Sequence, residues 1–388
     1  MFDERLAIIA PVRTAIGRFG GSLKDVPALD LGAHVVRETV RRSGLELAQI
    51  ERVVAGENLQ VTKGGNPARH VLLRAGIPVT SDDYSINMNC SSGLRAMTCL
   101  AQDILMGDVE VGVAVGMESM TNAPYLLEGA RFGYRLGNGI LIDYLADYIL
   151  GDAGPMAEAV AGRYGIGREE QDEFAAASQS KAVAAIEAGR FKEQIVAIDV
   201  PSKAGPVPFE VDEHPRADST IEKLARLRPA FKADGTVTAG NSSGINDGAA
   251  AAVIMSEKRA KESGAPAAAY LRGWSAAGVE PGMFGIGPVP AVRKLLSRVG
   301  LSLQDIGLIE INEAFASSTV AVIKELDLDP AIVNVNGGAI ALGHPVGATG
   351  LVLVTKLAYE MALRGVRHGI ATMCVGSGQG MAVLLERD

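Results

Sequence analysis

Apolar residues recur at helical spacing from about Asp30 to Arg42 and again from Pro290 to Arg298. That spacing predicts two amphipathic helices. Each is followed by the same kind of turn, Gly44-Leu45-Glu46-Leu47 in one case and Gly300-Leu301-Ser302-Leu303 in the other. Short apolar runs come next, Val53-Val54-Ala55 and Leu308-Ile309-Glu310-Ile311, and read as buried strands. The offset between the two stretches is 256 residues, and at that offset Ile50 also matches Ile306 and Glu57 matches Glu313. A fixed offset of this kind marks an internal duplication.

The repeat continues downstream. Asn87-Met88-Asn89 leads through Cys90-Ser91-Ser92-Gly93 into a helix with Leu94, Met97, Ala101 and Ile104 on one face. Asn334-Val335-Asn336 leads through a glycine-rich turn into a helix from about Thr349 to Leu363. Both helices stop at a glycine, Gly107 or Gly365, as C-terminal caps do. Strands Val111 to Val115 and Ile370 to Cys374 follow, and the second copy closes with Met381 to Leu385. Its counterpart in the first copy is delayed to Ala249 to Met255, after Asp247-Gly248. Residues 119–243 therefore read as an insert in the first copy's last hairpin, with a helix from Arg168 to Ala188 and charged, Pro-rich loops from Pro201 to Pro215. The expected domains are 1–118 plus 244–264, the insert 119–243, and 265–388. Strands alternating with helices predict a layered α/β fold with mostly parallel central strands and a site between the copies.

Composition narrows the function. Lys and Arg number 37 against 45 Asp and Glu, a formal charge of −8, which argues against a general nucleic-acid binder but leaves room for local basic patches. No apolar run reaches the roughly 18 residues of a membrane span. The start, Met1-Phe2-Asp3-Glu4-Arg5, lacks the order of a signal peptide, and Leu385-Glu386-Arg387-Asp388 is no retention or peroxisomal address. Three cysteines, an odd and sparse number, suit a reducing, cytoplasmic compartment. The 46 glycines sit in short clusters, which asks for a structural reason.

Those clusters surround the candidate chemistry. Cys90 lies where a strand turns into a helix, a setting that lowers a thiol pKa from about 8.5 into the range ~3.5–7.5. It reads either as a nucleophile or as a small buried hydrophobe. His344, in Gly337 to Gly350, occupies the duplicated counterpart of the Cys90 turn, so the two could meet and form an activated Cys–His pair. Cys374 opens Val375-Gly376-Ser377-Gly378-Gln379-Gly380, too close to the last residue for a dinucleotide-binding unit but placed for acid–base work beside an oxyanion. Asn312, in Asn312-Glu313-Ala314-Phe315-Ala316, can orient water or cap a helix. Cys99 reads as packing; His34, His70, His214 and His368 lack clustered partners, and no set of residues has metal-ligand spacing. The residues alone point to a thiol acyltransferase or hydrolase.

Together these segments resemble the thiolase family. Asn87 to Ala96 is similar to its nucleophile segment, Asn312 to Ala316 to its NEAFA motif, and Gly337 to Gly350 to its GGAIALGHPxGATG motif. Arg13 to Leu23 and the stretch from Leu227-Arg228-Pro229-Ala230-Phe231 to Asp247-Gly248 extend the likeness over nearly the whole chain. The resemblance implies a duplicated five-layer α/β/α/β/α fold with a loop domain inserted in the first half. It implies ping-pong chemistry on coenzyme A thioesters as substrates, with no permanently bound cofactor. Cys90 would carry the acyl group and His344 would deprotonate it. Cys374 would act as acid and base, while Asn312 would hold a water. The amide of Gly376, with that of Cys90, would hold an oxyanion. Arg216, Ala230, Phe231 and Ser243 would contact CoA. A homodimer or homotetramer is implied, with neither nucleic acid nor membrane as partner.

The chain departs from the family pattern at three places. Ser377 replaces a glycine of the last motif, Asp152-Ala153 stand where short-chain members have His-Met, and Phe284 replaces a frequent Met. These changes fall around the acyl pocket and the assembly loop. Three rival readings follow: a degradative 3-ketoacyl-CoA thiolase for longer or unusual chains, a Cys–His thioester hydrolase, and a non-catalytic CoA-binding protein.

Overall fold

The computed structural model describes residues 4–61, 64–146, 153–202 and 205–388. The first half runs β1 (Leu6–Thr14), α1 (Ala28–Ser43), β2 (Arg52–Gly56), α2 (Pro67–Ala75), β3 (Asp82–Ile86), α3 (Ser92–Met106) and β4 (Val111–Ser119). The intervening segment contributes α4 (Ala153–Tyr164) and α5 (Arg168–Glu187) before the chain re-enters the sheet as β5 (Asn246–Ser256). The second half runs β6 (Ala267–Gly278), α6 (Pro288–Val299), β7 (Leu308–Ile311), α7 (Ala316–Leu326), α8 (Val346–Arg364), β8 (His368–Val375) and β9 (Gln379–Glu386).

The principal strands join in the order β7-β8-β9-β6-β1-β5-β4-β2-β3, with Gly17–Arg18 and Ile195–Val196 added off that path. The order reads as two similar half-sheets meeting where β1 pairs with β6. The expectation of mostly parallel strands does not hold. Along that path β2–β3, β2–β4 and β7–β8 are parallel and the other pairs are antiparallel; off it, Ile195–Val196 runs parallel to β1. The reason is the closing hairpin: β9 doubles straight back on β8, and β5 doubles back on β4 with a long excursion in place of the turn. β1 and β6 are equivalent strands of the two halves set side by side by a twofold, and so they run in opposite directions.

Five layers result. α1 covers one half-sheet from outside against β1, β4 and β5, and α6 covers the other against β6 and β9. Between the half-sheets lie α3 and α8, packed on each other. α8 has the length and apolarity of a membrane span, yet 83% of its apolar 18-residue stretch is buried inside the protein. The two central helices cross on glycine: a Cβ on Gly93 would stand 2.6 Å from the Gly347 carbonyl oxygen, and one on Gly350 would stand 2.5 Å from the Leu94 nitrogen. That bare crossing brings together the two turns from which these helices start.

Candidate active site

Cys90 sits in the turn between β3 and α3. Asn89 takes a left-handed φ of 48°, and the turn is fastened by Ser92, whose Oγ accepts from the Met88 amide at 2.9 Å and donates to the Asn89 carbonyl at 2.7 Å. α3 begins at Ser92, so Cys90 precedes the first helical turn. The expected low pKa is absent. Burial pushes the Cys90 thiol up to about 11, against amide donation from Gly376 and from Cys90 itself, and the charge of Glu118 adds to the rise. Amides help a thiolate, but here desolvation outweighs them. At rest Cys90 is therefore a thiol.

His344 lines the same cavity as Cys90. It follows a short helical segment, Ala339–Leu342, and its backbone N–H donates to Asn246 Oδ1 at 2.9 Å. Nδ1 lies 2.6 Å from Thr349 Oγ1, which donates to the Pro345 carbonyl at 2.9 Å. A hydroxyl already donating there accepts from Nδ1–H, which leaves Nε2 bare. Burial lowers the His344 pKa to about 4, so the ring is neutral at rest.

Asn312 lies beyond β7, with its Nδ2 3.4 Å from His344 Nε2. It does not cap α7, whose N-cap is Phe315. Asn312 Oδ1 is buried with no hydrogen-bond partner among the described residues, so it is open to accept from a small donor. Cys374, near the end of β8, is 2% exposed among Ala157, Val237, Phe284, Ala314 and Phe315. Burial first, then the neighbouring Cys90, raises its pKa well above the ordinary thiol range. It therefore does not titrate near neutrality in the resting state, contrary to the expectation from a free thiol. The β8–β9 turn is tied back to the Cys90 turn, where Asn89 Nδ2 donates to the Gly376 carbonyl at 3.1 Å. Ser377 accommodates that turn at a left-handed φ of 68°.

A cavity of about 390 Å³ is lined by Cys90, His344, Gly376, Asn89, Ser243, Phe231, Phe284, Phe315 and Met156 among others, while Cys374 packs behind Phe284 and Phe315 and Asn312 behind His344. Phe315 meets Phe231 and Phe284 edge-on, at centroid distances of 6.1 and 6.4 Å. Ala153 also faces this cavity, whereas Asp152 lies outside the described residues. The four residues expected to bind CoA do not all gather here. Phe231 and Ser243 line the cavity, and Ala230 holds the neighbouring loop through an amide bond to the Val237 carbonyl. Arg216 is exposed and lines a separate depression with Gln179, Ala217 and Ser219.

Several supporting residues escaped the sequence reading. Thr349 could have been found, because it lies one helical turn beyond Pro345 and so faces the His344 ring. Asn246 gave no signal, since its partner is nearly a hundred positions away. His214 is not isolated: its Nδ1 lies 3.3 Å from Asn246 Nδ2, and burial with Arg216 and Arg18 lowers its pKa to about 4.

Cys90 and a neutral imidazole on one cavity, the amides of Gly376 and Cys90 toward the sulfur, and a second thiol, Cys374, packed behind the Phe284 and Phe315 wall are the groups that a cysteine acyltransferase uses. Family models for the thiolase N-terminal and C-terminal domains match residues 6–258 and 265–387. The acetyl-CoA acetyltransferase of Pseudomonas aeruginosa is 49% identical, spanning 99% of this chain and 100% of that protein. The structure of the Bacillus anthracis acetyl-CoA acetyltransferase superposes with a TM-score of 0.96 at 47% identity, covering 99% of this chain and 98% of that one. Human mitochondrial 3-ketoacyl-CoA thiolase in complex with CoA gives a TM-score of 0.94 at 38% identity, again over 99% of this chain and 98% of that one. The chain belongs to the thiolase family.

Proposed function

We propose that this enzyme runs a reversible two-stage acyl transfer on coenzyme A thioesters, condensing two acetyl-CoA to acetoacetyl-CoA or cleaving 3-ketoacyl-CoA with free CoA. In the first stage His344 Nε2 takes the Cys90 proton as the sulfur attacks the thioester carbonyl. The amides of Cys90 and Gly376 receive the oxyanion, and losing one such donor typically costs ~10²–10³ in rate. As the bond to CoA breaks, Cys374 gives its proton to the leaving thiolate, so CoA departs as a thiol. That leaves an acyl-cysteine, a protonated His344 and a Cys374 thiolate.

The second stage uses all three. The Cys374 thiolate removes an α-proton from a second acetyl-CoA, and the enolate oxygen is held by His344 Nε2–H and a water on Asn312. A thioester α-carbon is a weak acid, so this stabilisation must arrive as the proton leaves. The enolate carbon attacks the acyl-cysteine, Cys90 leaves as a thiolate and His344 returns its proton. Ser243 and Phe231 lie along the pantetheine path, with Arg216 beyond them for the nucleotide phosphates.

The observation that carries this reading is a second thiol, Cys374, packed against the Phe284, Ala314 and Phe315 side of the cavity, two residues before Gly376, whose carbonyl accepts from Asn89 of the Cys90 turn. A hydrolase has no use for that thiol. Cys374→Ala is expected to become acetylated on Cys90 by acetyl-CoA, seen by intact mass, yet to lose condensation; full condensation activity in that variant would sink the assignment.

We read the acyl pocket as short, because Phe231, Phe284 and Phe315 crowd its walls. The likeness to a 3-ketoacyl-CoA thiolase supports the longer-chain alternative. Thiolysis rates over C4 to C16 3-ketoacyl-CoAs separate the two, with a sharp fall beyond C4 expected. We infer at least a dimer, since Phe132, Leu136 and Ile140 are 96%, 94% and 72% exposed on one segment of the intervening domain. Three free thiols favour a reducing, cytoplasmic setting.

A further inference from the structure

Two consecutive residues of α5, Ser178 and Gln179, are buried polar side chains with no part in the chemistry above. Ser178 Oγ donates to Glu313 Oε2 at 2.6 Å and accepts from the Gly338 amide at 3.1 Å. Gln179 Nε2 donates to the Ile340 carbonyl at 3.2 Å, while its Oε1 accepts from the Arg216 amide at 2.8 Å. Gly338 and Ile340 belong to the turn that ends at His344. α5 therefore grips that turn at one amide and one carbonyl, two residues apart.

The grip has little slack. Glu313 Oε2 also accepts from the Ile340 amide at 3.2 Å, and its Oε1 accepts from Asn334 Nδ2 at 2.8 Å. A Cβ on Gly338 would stand 2.2 Å from the Glu313 carboxyl carbon, and one on Gly337 would stand 2.6 Å from the Ser178 carbonyl oxygen. Gln179 is the member that reaches outward. It lines the surface depression that holds Arg216, and it is 6% exposed. A buried carboxamide bonded at both ends resists movement of either partner alone, because a shift leaves a buried donor or acceptor unpaired.

We propose that Gln179 is a positioning residue that ties the loop bearing Arg216 to the turn bearing His344, so that a grip on the nucleotide end of the coenzyme is felt at the imidazole. This rests on the reading of Arg216 as a nucleotide contact. Binding energy gained far from the reacting carbon speeds the chemistry only when it is converted into position there. His214, two residues before Arg216, also meets Asn246, which accepts from the His344 amide, but Arg216 itself does not reach the Cys90 cavity, and Gln179 is the side chain that bonds its own amide.

The test compares acetylation of Cys90 at saturating acetyl-CoA and at saturating S-acetylpantetheine, which lacks the nucleotide, by rapid quench and intact mass. The wild-type limiting rate with acetyl-CoA is expected to be about tenfold the faster, a coupling of ordinary size. In Gln179→Met it falls to the pantetheine rate, while the pantetheine rate stays within about twofold. Arg216→Ala, which keeps the backbone amide on Gln179, gives the same loss of limiting rate with acetyl-CoA. Equal falls with both donors, equal wild-type rates, or an Arg216→Ala effect confined to half-saturation overturn the proposal. If near-ultraviolet circular dichroism shows Gln179→Met misfolded, Gln179→Glu decides with Arg216→Ala, because it keeps an acceptor for the Arg216 amide and removes the donor to Ile340. A wild-type enzyme that is never acetylated overturns the acyl-transfer reading itself; acetylation with an unchanged donor ratio across the variants overturns only the coupling.

Discussion

Cys90 and His344 are matched by burial rather than by charge. With one pKa pushed up to about 11 and the other down to about 4, the resting pair is thiol and imidazole, not an ion pair. The thiolate fraction then grows with every unit of pH below 11. Alkylation of the free enzyme by iodoacetamide is therefore expected to speed up about tenfold per pH unit from 7 to 10. A plateau with a midpoint below 8 would mean that the ion pair forms before substrate arrives. This inversion could not be seen in the chain itself: the turn and helix were legible around Cys90, but the desolvation that outweighs them comes from residues brought in by the tertiary fold. Ser377 poses a smaller question at the same scale. A serine at φ 68° carries about 1–2 kcal/mol of strain that glycine avoids, offset by glycine's extra chain entropy. Ser377→Gly is expected to raise unfolding stability by about 1 kcal/mol, measured by urea denaturation.

Among elements, the crossing of α3 and α8 sets how close the Cys90 and His344 turns come. It is packed through Gly93, Gly116, Gly347 and Gly350, where an added methyl has backbone rather than a flexible side chain to push against. Gly93→Ala is expected to cost about 1–3 kcal/mol of stability and to separate Cys90 from His344, lowering acyl-enzyme formation more than tenfold. A variant of wild-type stability and rate would show that the crossing has room to spare. Helices α1, α3, α6 and α8 were legible because helical spacing and a glycine stop coincide in each. The antiparallel junction of β1 with β6 was not, since both strands are apolar on nearly every residue and carry no sign of their neighbours. For the same reason Arg216 could be read as a cation near an anion, but not as one lodged outside the cavity.

At the level of the molecule, the intervening segment is locked to the sheet by one buried ion pair. Arg13 Nη1 and Nη2 donate to the two oxygens of Asp212 at 2.7 and 2.8 Å, both side chains are fully enclosed, and Phe191 lies beneath the guanidinium. Asp212→Ala strands a buried charge and is expected to cost about 3–5 kcal/mol in guanidinium chloride unfolding. Arg13→Met with Asp212→Leu is expected to cost much less, because no charge is left unpaired.

The placement of β1 has a consequence for how the molecule is made. Its two long neighbours, β5 and β6, span residues 246–278, and Ile195–Val196 reaches only Arg13 and Thr14 at its end, so most of β1 leaves the ribosome with both edges bare. At the usual pace of synthesis the first long partner follows only after roughly ten to fifty seconds. Throughout that interval a nine-residue strand, almost wholly apolar, is exposed to any other chain that offers an edge. The first of the described strands is thus the one that waits longest, counted in residues, for the neighbours that seal it.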